Sequence, residues 1–172
     1  MPISQMLLPE FDQEIESTRK ILAVLPEDSK LDFKPHEKSM ALGRLAGHIA
    51  DLPTHAASIL ETEKLAMKSG EMKPYAPKSR QDILDHFEES AKKARAAIER
   101  TPDEEWSKIW TFTFDGKPVF SMPRIACYRT MAMSHMIHHR GQLSVYLRLC
   151  EVEIPGMYGP SADEMKFWEA KA

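Results

Sequence analysis

The chain's 172 residues suffice for one domain with a substantial core, so residues 1–172 are expected to fold as a single unit. A hydrophobic share of 42% beside a charged share of 28% excludes a disordered chain. The 23 basic residues are scattered among 26 acidic ones for a formal charge of -3, which leaves no electrostatic footprint for nucleic acid, and no apolar run nears the roughly 20 residues that cross a bilayer.

Leu8, Phe11, Ile15, Thr18, Leu22 and Leu25 recur at steps of three and four before Pro26, the pattern of an amphipathic first helix. Its leading residues, MPISQMLLPEFDQE, show no basic segment followed by an apolar one, so the cytoplasm is the expected location. Ser39 is placed to cap a second helix whose inward stripe reads Ala41, Leu45, His48, Leu52, His55, Ala56, Ile59 and Ala66, with a kink expected upstream of Pro53. The stretch 69–78, with Gly70, Pro74 and Pro77, reads as a loop. A third helix follows, burying Ile83, Phe87, Ala91, Ala94 and Ile98 and wetting Lys92, Lys93, Arg95 and Glu99. Thr101, Pro102 and Glu104 suggest a capped short turn.

The period then changes. TFTF, Asp115-Gly116 and KPVF alternate as a two-stranded hairpin does. From about Pro123 to Cys150 a fourth helix carries Tyr128, Met131, Ala132, His135, His139, Gln142, Leu143, Tyr146 and Leu149 in one stripe. Cys127 and Cys150 lie about six turns apart along it and cannot bridge each other there, so both read as thiols in a reducing compartment. Ser161 and Glu164 form a capping box for a short last helix carrying Phe167 and Trp168.

Imidazole nitrogen suits zinc, nickel, iron or copper, and histidines four apart on a helix project toward one point. His135 and His139 have that spacing, and His48 lies on the inward stripe of another long helix. Any one of the three alone would pass for a core histidine with a local partner. Three on facing stripes would leave several buried nitrogens to satisfy, each costing about 1–3 kcal/mol if unpaired, and one shared divalent ion removes that cost. Gln142 is placed to orient His139, and Asp51 to orient His48. His55 sits two turns beyond His48, outside ligating reach in a regular helix. His138 is expected at the surface, His36 and His86 carry no pattern, and Arg140 suggests a surface ion pair. Met131, Met133 and Met136 read as core packing rather than a copper pocket.

GHIADLP around His48, HMIHHRGQL from His135 and YGPSADE from Tyr158 resemble the DinB-like family of damage-inducible metalloproteins along nearly the whole chain. The resemblance implies an all-α, up-down-down-up four-helix bundle, with the hairpin before the fourth helix and the short helix at the C-terminus. It implies frequent homodimers and a ligand set of His48, His135 and His139 for one divalent transition metal, zinc or nickel ahead of iron. Three protein ligands leave a position open for water or substrate. Characterised relatives of this kind include metal-dependent transferases and isomerases that use low-molecular-weight thiols. The expected function is therefore a metal-dependent enzyme that activates a small thiol or water toward a small-molecule substrate. The alternative is a non-catalytic stress-response or binding module stabilised by its metal.

Overall fold

A computed structural model describes residues 1–71 and 73–169, with side chains of the last helix described as far as Met165. Helix α1, Ile3–Ala23, buries Phe11, Ile15, Thr18 and Leu22 as its three-and-four spacing predicts, with Leu7 and Ile21 beside them, while Leu8, expected on that face, is half-buried. The first helical N–H, that of Ile3, donates to Asp103 Oδ1 at 2.8 Å, so a residue 100 positions away caps the helix.

Helix α2, Leu42–Glu61, begins two residues later than a Ser39 cap would place it, with Ala41 at the cap position. The N–H groups of Leu42 and Gly43 donate instead to the carbonyls of Phe33 and Leu31, at 2.9 and 2.8 Å, so the incoming loop supplies the acceptors that a cap would. The helix runs through Pro53 to Glu61, and Ala66, expected on its stripe, falls in strand β1, Lys64–Met67. Helix α3, Arg80–Arg100, is capped by Ser79, whose side chain accepts from the N–H of Asp82, and it buries Ile83, Phe87, Ala91, Ala94 and Ile98 as expected. Thr101 does not cap the short helix α4, Asp103–Trp106, because its hydroxyl turns back to the Ala97 carbonyl at 2.6 Å; Pro102 takes the cap position.

Strands β2, Ile109–Phe114, and β3, Lys117–Pro123, form the expected hairpin. Asp115 and Gly116 both have positive φ, 48° and 75°, as a two-residue turn matched to strand twist requires. The hairpin is part of a three-stranded sheet of order β1-β2-β3, in which β1 pairs with β2 in parallel, Lys64 opposite Thr111 and Met67 opposite Phe114. This mixed sheet overturns the expectation of an all-α four-helix bundle: the protein is mainly helical, with four long helices and a sheet that buries one face against them. A lone hairpin is marginal in water, and the third strand supplies the pairing it needs.

One helical rod follows, made of α5, Arg124–Cys127, a π-helical segment, Tyr128–Ser134, and α6, His135–Leu149. Its buried face reads Tyr128, Ala132, Met133, Met136, Arg140, Leu143 and Leu147. The expected stripe through His135, His139, Gln142 and Leu149 is therefore corrected by one residue downstream of the π segment. A π turn holds one residue more than an α turn, so the faces beyond it shift by that residue. Leu149 is 55% exposed, and the histidines stand half-buried beside the core stripe. Ser161 and Glu164 form the expected reciprocal cap of helix α7, Ala162–Glu169, with bonds of 3.2 and 3.1 Å; the side chains of Phe167 and Trp168 lie outside the described ones.

The main core joins α1, α2, α3 and α6 around Leu22, Leu45, Ile49, Phe87 and Leu143. A smaller cluster of Ile59, Trp110 and Cys127 lies between the sheet and the helices. Both cysteines are free thiols. Arg140, expected in a surface ion pair, is 2% exposed, and its guanidinium bonds to the Glu14 carboxylate (2.6 Å), the Glu14 carbonyl (3.0 Å), Thr18 Oγ1 (3.1 Å) and the Tyr158 hydroxyl (2.6 Å). Tyr158 in turn donates to Glu14 at 2.9 Å, so the network ties the C-terminal segment to α1. Among the described residues, no helix is long and apolar enough to cross a membrane.

Candidate metal centre

His48 comes from the middle of α2, and His135 and His139 from the first turns of α6. The π segment sets both α6 histidines at the edge of the core, where they face α2 across a groove. One ligand atom from each of the three rings lies within 4.8 Å of the other two, and Nε2 of His48 is 3.3 Å from Nε2 of His135. Ring centroids are separated by 4.7 Å for His48 and His139, 4.7 Å for His135 and His139, and 5.0 Å for His48 and His135.

Two of the rings' outer nitrogens, those of His135 and His139, are engaged. Nδ1 of His139 donates to Gln142 Oε1 at 2.7 Å, one helical turn on, and Nδ1 of His135 donates to the Met131 carbonyl at 3.4 Å. A proton held on Nδ1 leaves Nε2 with its lone pair, so these two contacts select the tautomers that a metal requires. Electrostatics act in the same direction. Burial, then the neighbouring imidazoles of His139 and His135, push His48 down from 6.5 to about 4. Burial, then His139, lowers His135; burial lowers His139 against the opposing bond to Gln142. Three neutral imidazoles with lone pairs converging on one point fit a divalent transition metal. Two nitrogens bound tetrahedrally at about 2.0–2.1 Å from zinc stand about 3.3 Å apart, the separation that His48 and His135 already have.

Gln142 thus takes the orienting place that its spacing suggests. Asp51 does not reach His48: its carboxylate is held by His86 Nε2 at 2.8 Å, and Tyr75 stacks on His86 with ring centroids 3.9 Å apart. His86 was without a sequence signal because its partner lies on another helix; its half-buried place one turn after Ile83 is the sole hint. His55 directs Nδ1 to the same Met131 carbonyl at 3.4 Å, with its ring 6.4 Å from that of His135. His138 is exposed, and His36 accepts from the Lys38 N–H in a surface turn. Met133 and Met136 are buried in the core as expected.

A cleft of about 300 Å³ lined by Met40, Arg44, His48, Asp51, Pro74 and Tyr75 opens beside His48. The loop forming one wall packs tightly, since a Cβ built on Gly47 would fall 2.8 Å from Cγ and Cδ of Pro77. Only glycine permits that approach on the residue preceding His48.

Comparison with known proteins places this architecture. The uncharacterized protein YrdA of Bacillus subtilis (strain 168) is 26% identical over 157 residues, covering 91% of this chain and 89% of the relative. The crystal structure of a DinB-like protein from Bacillus cereus ATCC 10987 is 29% identical and superposes with a TM-score of 0.71, covering 91% of this chain and 98% of that one. A second DinB-like protein, YjoA of Bacillus subtilis, shares the fold with a TM-score of 0.68 at 21% identity, over 88% of this chain and 96% of its own. The DinB family model matches residues 1–171, and the chain belongs to the DinB family.

Proposed function

We propose that His48, His135 and His139 hold one divalent transition metal, zinc or nickel ahead of iron, and that the protein is a metal-dependent enzyme acting on a small molecule, with a low-molecular-weight thiol or water as nucleophile. The observation that carries this reading is the convergence of three neutral imidazoles, with Nε2 of His48 and His135 3.3 Å apart. When bound at such an open three-nitrogen site, the ion supplies Lewis acidity and lowers the pKa of a thiol or water. The chain's own groups orient and select. Gln142 and the Met131 carbonyl fix two ring tautomers, and burial keeps protons from competing for the nitrogens. Arg44, which makes no ion pair among the described residues, stands on the cleft beside His48 and can attract a substrate's anionic end. Asp51 lines the same cleft with His86 bonded to its carboxylate, a carboxylate–imidazole couple whose acidic member can exchange a proton with what enters.

Elemental analysis of tag-free protein tests the site. A near-stoichiometric divalent ion that is lost in both His48→Ala and His139→Ala is the expected result, and absence of metal after reconstitution overturns the reading. Thiol-dependent turnover of an electrophile that disappears in His135→Ala establishes the enzyme; metal loss that changes only the melting temperature assigns the ion a structural role.

A further inference from the structure

A second, smaller cavity of about 160 Å³ lies between the sheet and α2, on the far side of His55 from the three-histidine groove, lined chiefly by His55, Ser58, Leu65, Trp110, Phe112 and Met131. Its wall is overwhelmingly carbon and thioether sulfur. The indole N–H of Trp110 is already donated to Thr62 Oγ1 at 3.2 Å, and Nδ1 of His55 to the Met131 carbonyl. An occupant therefore finds apolar surface and little to hydrogen-bond. The size is that of a cavity of about 150 Å³ that stays dry and takes up benzene.

Two residues join this cavity to the candidate metal centre. Met131 lines it with its side chain and holds the His135 ring through its carbonyl. His55 forms its wall, and its ring centroid is 6.4 Å from that of His135. His55 thus stands as a single ring between the cavity and His135, so a substituent on a molecule seated in the cavity would reach the three histidines by passing the edge of His55.

We infer that this cavity receives the compact apolar portion, about the size of a benzene ring, of the substrate that reacts at the three-histidine site, with His55 as the specificity-determining residue at the boundary. The inference rests on the proposed metal-dependent function for the identity of its occupant. It adds the substrate class: a small electrophile with an aromatic or similarly compact hydrocarbon body.

Toluene is the probe, titrated into metal-free full-length protein and followed by NMR. Saturable shifts are expected at the Trp110 indole N–H and at the His55 ring protons, with smaller ones at His135. Ser58→Phe, which fills the cavity and leaves the three histidines in place, is expected to weaken binding at least tenfold without changing metal content. Leu65→Ala, which enlarges it, is expected to move the preference from toluene toward naphthalene. Shifts that bypass Trp110 and His55, toluene binding that persists in Ser58→Phe, or an unchanged preference in Leu65→Ala would overturn the inference. Metal content is read separately, so failure of the metal site is distinguishable from failure of the cavity.

Discussion

His55 and His135, from different helices, share one acceptor: each directs Nδ1 to the carbonyl of Met131 at 3.4 Å. That carbonyl belongs to the π-helical segment, where the i→i+5 pattern alters the usual pairing of backbone groups along the helix. The irregular turn therefore sets the orientation of a ligand candidate and of the wall of the apolar cavity together.

Gln142 should act on the metal through His139. Loss of an outer hydrogen bond of this kind weakens metal binding by roughly 10- to 100-fold. We expect Gln142→Ala to fall in that range and Gln142→Glu, which keeps an acceptor, to retain affinity, as measured by competition with a chromophoric chelator. Equal affinity in Gln142→Ala would mean that the 2.7 Å bond has no bearing on ligation.

The pH dependence of the metal-free protein follows from His48. Its folded pKa, pushed down to about 4, lies below the unfolded value of 6.5, so between these limits the unfolded chain binds more protons. Stability is thus fully present above pH 6.5 and lost as pH falls toward 4. Urea midpoints across this window should decline in wild type and decline less in His48→Ala. Parallel curves would show that other groups govern the acid limb.

Arg140 and Glu14 form a pair with side chains 3% and 7% exposed. Removing one member strands the other's charge, which costs about 3–5 kcal/mol in buried pairs. Arg140→Ala should lose stability on that scale by urea denaturation. The double replacement Glu14→Leu with Arg140→Met should lose less, because no charge is left unpaired; a double variant as unstable as the single one would place the cost in packing.

Gly47→Ala tests the close approach of the loop beside His48. The new Cβ would meet the Pro77 ring at 2.8 Å, and overpacking of this sort costs about 1–3 kcal/mol. A lowered melting temperature and faster proteolysis within residues 73–78 are expected. An unchanged melting temperature would show that the loop yields freely.

The long helices are legible in the sequence because their buried residues recur at helical spacing over five turns or more. The pairing of His135 with His139 is legible through its four-residue spacing, whereas the core stripe expected to carry both is displaced by the π segment, which leaves them half-buried beside it and facing His48. Strand β1 is not legible, since KLAM spans four residues and its partner Thr111–Phe114 lies 47 positions on, with no turn signal between them. The π segment escapes because nothing in YRTMAMS distinguishes an i→i+5 turn from an i→i+4 one. Arg140 is misread as a surface residue because that one-residue slip moves it onto the core stripe, where Glu14 awaits it from a helix 126 positions earlier. Asp51 is adjacent to His48 in helical space, yet His86 claims its carboxylate from another helix. For the strand, the arginine and the aspartate the deciding partner is distant in the chain.

A regular α-helix through Tyr128–Ser134 would turn the His135–His139 pair by about 100° relative to the sheet-facing half of the rod, pressing both rings into the interior positions that Met136 and Arg140 now occupy. One surplus amino acid thus moves a would-be interior pair to a working edge. Trimming one residue there would be a change of aim rather than of length: the same histidines, in the same order, would look inward at α1 instead of across at His48.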